Sequence, residues 1–231
     1  MTSERHERTA ALLGEPSLSR LSQSHTAVVG LGGVGGFAAE ALARSGVGAL
    51  TLIDFDVVAQ SNINRQIPAL TSTVGLPKAE VMASRCRDIN PDCRVSARTE
   101  RFTAVSRETL LTDEYDILLD CIDSVTDKAD LIAFCLRRGV AVLSVMGMGN
   151  KVNPFALRMG DIFDTAVCPL AKALRRELRK RGVESHRVLW SDEKPARPAS
   201  RRVASVCWVP GCAGLMLAYE AVTRLCHASD S

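Results

Sequence analysis

The distribution of apolar positions alternates between short, nearly continuous runs and longer stretches with helical spacing. The runs at residues 26–30 (TAVVG), 49–54 (ALTLID), 115–123 (YDILLDCID) and 140–145 (VAVLSV) predict buried strands, and 93–97 (CRVSA) predicts a shorter one. Between them, residues 37–45, 78–89, 105–112 and 126–138 predict helices, the second of them stopped by Asn90-Pro91. Residues 4–24 predict one polar N-terminal helix anchored by Leu12, Leu13, Leu18 and Leu21. Residues 55–77 are polar and loop-rich.

Strands alternating with helices predict an α/β fold, a Rossmann-like doubly wound and largely parallel sheet covered on both faces. Ligands in such folds sit beyond the carboxyl ends of the strands, so the loops after residues 30, 54, 123 and 146 are expected to line the site. The C-terminal third is expected to be less regular. Residues 169–182 predict a basic helix ending at Gly182, and 193–202 a basic loop. Residues 203–226 predict a short strand and then a buried or interface helix. Pro210, Gly211, Gly214, Glu220 and Arg224 interrupt that segment and argue against a membrane span. The 231 residues suit a single domain (1–231), with an N-terminal helix (1–24), a nucleotide-binding core (26–146) and a substrate and dimer region (147–231).

Composition narrows the class. Apolar residues make up 46% of the chain and aromatics only 4%, so the core is expected to be aliphatic. A net charge of +3 does not by itself imply nucleic acid. None of the eight cysteines forms a C-x-x-C pair, which removes the usual zinc signature. The charged N-terminus is unlike a signal peptide, and reduced thiols suit a cytoplasmic protein.

The candidate chemistry begins at GLGGVGG, where Gly30, Gly32, Gly33 and Gly35 have the spacing of a phosphate-binding turn. Asp54 ends the next strand, where a ribose-binding carboxylate is expected. This pattern alone fits NAD and adenine-nucleotide enzymes equally. The loop after Asp54 then gathers Asp56, Asn62, Asn64, Arg65 and Gln66, with Lys78 at a helix start and Asp123 ending a later strand. A guanidinium and an ammonium at the sheet's carboxyl edge suit a triphosphate, and a carboxylate there suits its magnesium.

Taken together, GLGGVGG, DFDVVAQSNINRQ, GLPKAEV and DCIDSVTDK resemble the signature of the ubiquitin-activating-enzyme-like adenylating superfamily. The resemblance implies ATP and Mg2+. It implies that the glycine turn passes under the nucleotide and that Asp54 holds the ribose. Asn64, Arg65 and Lys78 would hold phosphate oxygens, and Asp123 would be the metal ligand. It also implies a homodimer, with an arginine donated across the interface; Arg8 occupies the similar position.

The carrier-activating members have two C-x-x-C pairs that this chain lacks. RTAALLG, INRQIPAL, GMGNKVNP, DIFDTAVCPLAKALRRELRKRG, VLWSDEKP and VPGCAGLMLA are instead similar to the branch that dehydrates threonylcarbamoyladenosine in tRNA. That resemblance implies adenylation of the threonine carboxylate and ring closure with release of AMP. A sulfur-transfer partner is left open. The alternatives are an adenylating enzyme for a ubiquitin-like sulfur-carrier protein, a non-catalytic nucleotide-binding module and an NAD-dependent oxidoreductase. Lys172, Arg176 and Lys180 share one face of the basic helix beside Arg175 and Arg179, with Arg197, Arg201 and Arg202 following. Such a patch can bind tRNA phosphates or be an ordinary solvated face. Cys168, before Pro169 at the helix start, is a candidate nucleophile or a core residue.

Overall fold

Five parallel strands form the part of the sheet that carries the site. In the computed structural model, which describes residues 4–111, 114–196 and 203–227, the chain begins with α1 (Glu7–Leu13) and α2 (Glu15–Gln23). The single N-terminal helix expected over 4–24 is therefore two. Gly14 breaks it, with φ at 85° between the helices.

The alternation then runs as read from the apolar pattern. Strand β1 (His25–Val29) leads into α3 (Gly35–Arg44), and β2 (Ala49–Ile53) into a long loop and α4 (Lys78–Ile89). After these come β3 (Arg94–Arg98), the short α5 (Arg107–Leu110), β4 (Ile117–Asp120), α6 (Val125–Arg137) and β5 (Ala141–Val145). The apolar side chains of β1, β2 and β4 are buried between helices on both faces, as a doubly wound sheet requires.

Two further strands correct the picture of a less regular C-terminal third. Strand β6 (Leu157–Asp161), α7 (Pro169–Lys180) and β7 (Arg187–Ser191) extend the sheet before α8 (Trp208–His227). The seven-stranded order is β3-β2-β1-β4-β5-β7-β6, with only β6 antiparallel to its neighbour. Of the expected strand near residue 203, nothing forms: residues 203–206 carry no strand, and the segment is helix from Trp208 on. No helix among the described residues is long and apolar enough to cross a membrane.

The chain order reverses between β1 and β4, the two strands that flank the topological switch point. A cleft of about 840 Å³ opens at their carboxyl ends, and all four expected loops contribute to it.

Candidate active site

The floor of the cleft is the turn between β1 and α3. Gly30 has φ of 91°, and a Cβ there would lie 2.7 Å from the Cys121 carbonyl oxygen. A Cβ on Gly35 would lie 1.8 Å from the Gly30 carbonyl oxygen, so the backbone folds on itself too tightly for any side chain. Gly32 is different. Its Cβ would meet only Gln66 Nε2, at 3.7 Å, and the space above it is open to the cleft. The N-terminus of α3 follows, with the partial positive charge of its free N–H groups.

Asp54 braces this turn from β2. Its Oδ2 accepts from Leu31 N at 2.6 Å and its Oδ1 from Asp56 N at 2.8 Å. Burial pushes its carboxyl up, and the two N–H groups only partly offset that. The carboxylate is thus a structural clamp as well as a cleft residue, and a sugar hydroxyl would share oxygens already engaged.

The long loop after β2 carries the cations back over the turn. A bridge between Val57 and Pro77 closes it, and Lys78 N donates to Asp56 O at 3.0 Å. Lys78 is buried, with Nζ 2.8 Å from Asp56 Oδ2, and both residues line the cleft. Arg65 also lines it, its Nη1 donating to Ser61 O at 3.0 Å and Asn64 Oδ1 at 2.8 Å. Asn64 itself is placed differently from expectation. It is outside the lining and its amide donates to Ser205 O at 3.0 Å, so its role here is to orient Arg65 and tie the loop to the chain before α8. Gln66 lines the cleft, with its Oε1 buried and unpartnered among the described residues. Asn62 accepts from Ala59 N at 3.2 Å and serves the loop.

Across the switch point, Asp123 is exposed on the cleft wall and has no hydrogen-bond or ion-pair partner among the described residues. Its loop is held by a buried network that the amino-acid pattern did not reveal. Asp120 and Lys128 are each fully buried, with Nζ 2.8 Å from Oδ2. Ser144 Oγ donates to the same Oδ2 at 2.6 Å, and His186 Nε2 lies 2.7 Å from Ser144 Oγ. Because the serine hydrogen goes to the carboxylate, the imidazole must donate from Nε2. Asp120 Oδ1 accepts from Ile122 N at 3.1 Å, which fixes the start of the Asp123 loop.

The far wall follows β5. Met146, Gly147, Met148, Lys151 and Cys168 line it. Cys168 is 2% exposed at the start of α7, and Lys151, also 2% exposed, was not singled out from the amino-acid pattern. A lysine at the end of GMGNK gives no periodic signal, and only the packing shows its burial. Cys121 lines the cleft with its thiol pushed up to about 12 by burial, and Cys135 is core. Arg8 is exposed on α1 and does not reach this chain's own cleft. On α7, Lys172, Arg176, Arg179 and Lys180 are exposed, whereas Arg175 turns inward to donate to Thr165 O at 2.6 Å. Arg197, Arg201 and Arg202 lie outside the described residues.

The ThiF family model matches residues 5–231. The tRNA threonylcarbamoyladenosine dehydratase of Bacillus subtilis is 39% identical over 94% of this chain and 93% of its own length. The Escherichia coli protein of the same name is 46% identical over 76% of this chain and 66% of its own. A crystal structure of the E. coli enzyme in complex with ATP superposes with a TM-score of 0.93 at 37% identity, covering 98% of this chain and 96% of that one. The glycine turn, the switch-point cleft and a match over nearly the whole length place this chain in the ThiF family.

Proposed function

We propose that this chain is an ATP-dependent tRNA threonylcarbamoyladenosine dehydratase. A carboxylate oxygen of the threonyl group attacks the α-phosphorus of ATP, and the bond to pyrophosphate breaks. A carbamoyl oxygen or nitrogen then attacks the activated acyl carbon, and a carbamoyl N–H loses its proton. The bond to AMP breaks and the ring closes, so the oxygen of the lost water departs in AMP. Adenylation replaces a poor leaving group by a good one, and the protein's task is positioning and charge stabilisation.

The observation that carries this reading is the cleft, which sets Arg65, Lys78 and Asp123 around an open glycine turn. Gly32 gives the backbone its close approach to the nucleotide, and Gly30, Gly33 and Gly35 shape the turn. Asp54 and Gln66 face the ribose and base, and Asp56 holds Lys78. Arg65 and Lys78 stabilise charge on the phosphates. An exposed carboxylate at Asp123, without a partner among the described residues, fits a hard divalent cation, and magnesium held there would neutralise charge on the phosphates.

Exposed Leu215 and Tyr219, one turn apart on α8, offer apolar surface for a homodimer. In such a dimer Arg8 would complete the partner's cleft. The exposed cations of α7 would receive tRNA phosphates, and the substrate implies a cytoplasmic site of action.

The test combines the protein with Mg-ATP and tRNA bearing threonylcarbamoyladenosine. Nucleosides are recovered under mild conditions and weighed by mass spectrometry, with AMP followed in parallel. ATP-dependent loss of one water from the nucleoside is the expected result. ATP consumption that ignores tRNA but responds to a small protein ending in Gly-Gly would reassign the chain to carrier activation.

A further inference from the structure

Lys151 is a buried cation with no ion-pair partner among the described residues. Its Nζ donates to Ser191 O at 3.4 Å, and no carboxylate lies within ion-pair distance among the described residues. Burial holds its ammonium below the usual lysine range. The acidic groups that face it are Cys168, Glu193 and Asp192. The Glu193 carboxylate is taken by Val152 N at 3.0 Å and Asn153 N at 2.9 Å. Asp192 is taken by Trp190 Nε1 at 2.8 Å and by Arg158 at 3.4 Å. A buried ammonium left in this state costs free energy that an incoming anion would recover.

Its position says which anion. Lys151 belongs to the wall after β5, two strands along the sheet from the glycine turn. The candidate phosphate cations Arg65 and Lys78 stand on the loop after β2, on the opposite side of the switch point. Met146, Met148 and Cys168 line the same wall of the cleft as Lys151, and apolar groups there strengthen a single charge-to-charge contact. A compact monoanion suits it better than a polyphosphate.

We infer that Lys151 receives the carboxylate of the threonylcarbamoyl group and presents it to the α-phosphorus of ATP. The inference rests on the function proposed above and adds to it the residue that recognises the group to be activated. Before adenylation the carboxylate is an anion; afterwards it is a neutral acyl. Lys151 therefore holds the substrate and not the acyl-adenylate, and it does not oppose ring closure.

The test is a comparison of two ligands on two proteins. Anticodon stem-loop RNA carrying threonylcarbamoyladenosine is matched with the same RNA in which the threonine carboxylate is a carboxamide. Binding of each is measured by fluorescence anisotropy with a non-hydrolysable ATP analogue present. Wild type should prefer the carboxylate RNA by about tenfold or more, the worth of one partly desolvated charged contact. Lys151→Met should bind the carboxamide RNA as wild type does and lose the preference, and Lys151→Arg should regain part of it. Unchanged affinity of Lys151→Met for the ATP analogue shows that the fold is intact. A preference retained by Lys151→Met would overturn the inference while leaving the proposed function standing. A wild type that neither binds nor converts the carboxylate RNA would overturn both. A merely structural lysine would weaken the two RNAs equally, and that outcome also counts against the inference.

Discussion

Lys78 and Asp56 are joined twice: the lysine Nζ lies 2.8 Å from Asp56 Oδ2, and its backbone N–H donates to Asp56 O at 3.0 Å. The double link ties the first residue of α4 to the start of the long loop. Asp56 is about half exposed and Lys78 is not, so the carboxylate fixes an ammonium that already stands in the cleft. Lys78→Ala should reduce AMP formation by about 100-fold or more, the scale on which one preorganised charge-stabilising group acts. Asp56→Ala should cost less, because the ammonium stays but is less well held. Single-turnover AMP release in the two variants orders them. Near-normal turnover in Lys78→Ala would remove the lysine from the site.

Asp123 is the candidate metal ligand, and its replacement separates binding from chemistry. Asp123→Ala should abolish AMP formation at ordinary magnesium, while Asp123→Asn should keep residual activity that rises with added magnesium, since a neutral oxygen ligand is weaker but present. A magnesium titration of AMP release in the two variants reads this directly. Identical magnesium curves for wild type and Asp123→Asn would count against the carboxylate as ligand.

Gly32 and Gly35 sit in one motif but should respond oppositely to alanine. At Gly35 the new Cβ would fall 1.8 Å from a backbone oxygen, and nothing flexible can yield. At Gly32 it would meet only the end of a glutamine side chain, at 3.7 Å. Gly35→Ala should unfold the turn and lower the thermal midpoint; Gly32→Ala should melt as wild type does and lose affinity for ATP. Calorimetry with and without nucleotide distinguishes them.

The same contrast shows what the amino-acid order could reveal. The strands β1, β2, β4 and β5 are short, mostly apolar runs with only an occasional polar residue, and the turn after β1 carries its glycines in a fixed spacing, so both are legible locally. Strand β6 is not: in LRMGD only Leu157 is buried, as expected for an antiparallel edge strand with one face open. Strand β7 is buried after its first residue, but RVLWS stands between polar stretches on both sides. The Asp120–Lys128 pair was hidden for another reason. In VTDKAD the lysine resembles any solvated helix charge, and only the packing of α6 against β4 turns it inward. Asn64 illustrates the limit within the site itself, since a motif gives a residue's neighbourhood but not the direction of its side chain.

His186 makes the buried network sensitive to acid. Burial first, and then the Lys128 ammonium, push its imidazole from 6.5 down to about 3; Arg224 acts in the same direction and Asp161 against it. The unfolded chain takes up a proton near pH 6.5, whereas the folded chain resists until about 3. The unfolded state therefore binds more protons throughout that window. Stability is fully present above pH 6.5 and falls as pH drops toward 3, by about 1.4 kcal/mol per unit from this one group. His186→Leu removes the titration and leaves the Ser144 hydrogen bond to Asp120 in place. The difference in urea-unfolding free energy between wild type and His186→Leu should then tilt against wild type as pH falls, and stay level above pH 7. A level difference at every pH would mean that the imidazole takes up its proton as easily in the folded chain as in the unfolded one, and so is not held in the buried, Lys128-facing environment described here. Asp120→Ala should be harsher and nearly independent of pH in the neutral range. It leaves Lys128 charged with no counter-ion in the core, a loss of about 3–5 kcal/mol, and frees the start of the Asp123 loop. If Asp120→Ala unfolds too readily to assay, Ser144→Ala is the milder probe, since it keeps the ion pair and removes only the bridge to the imidazole.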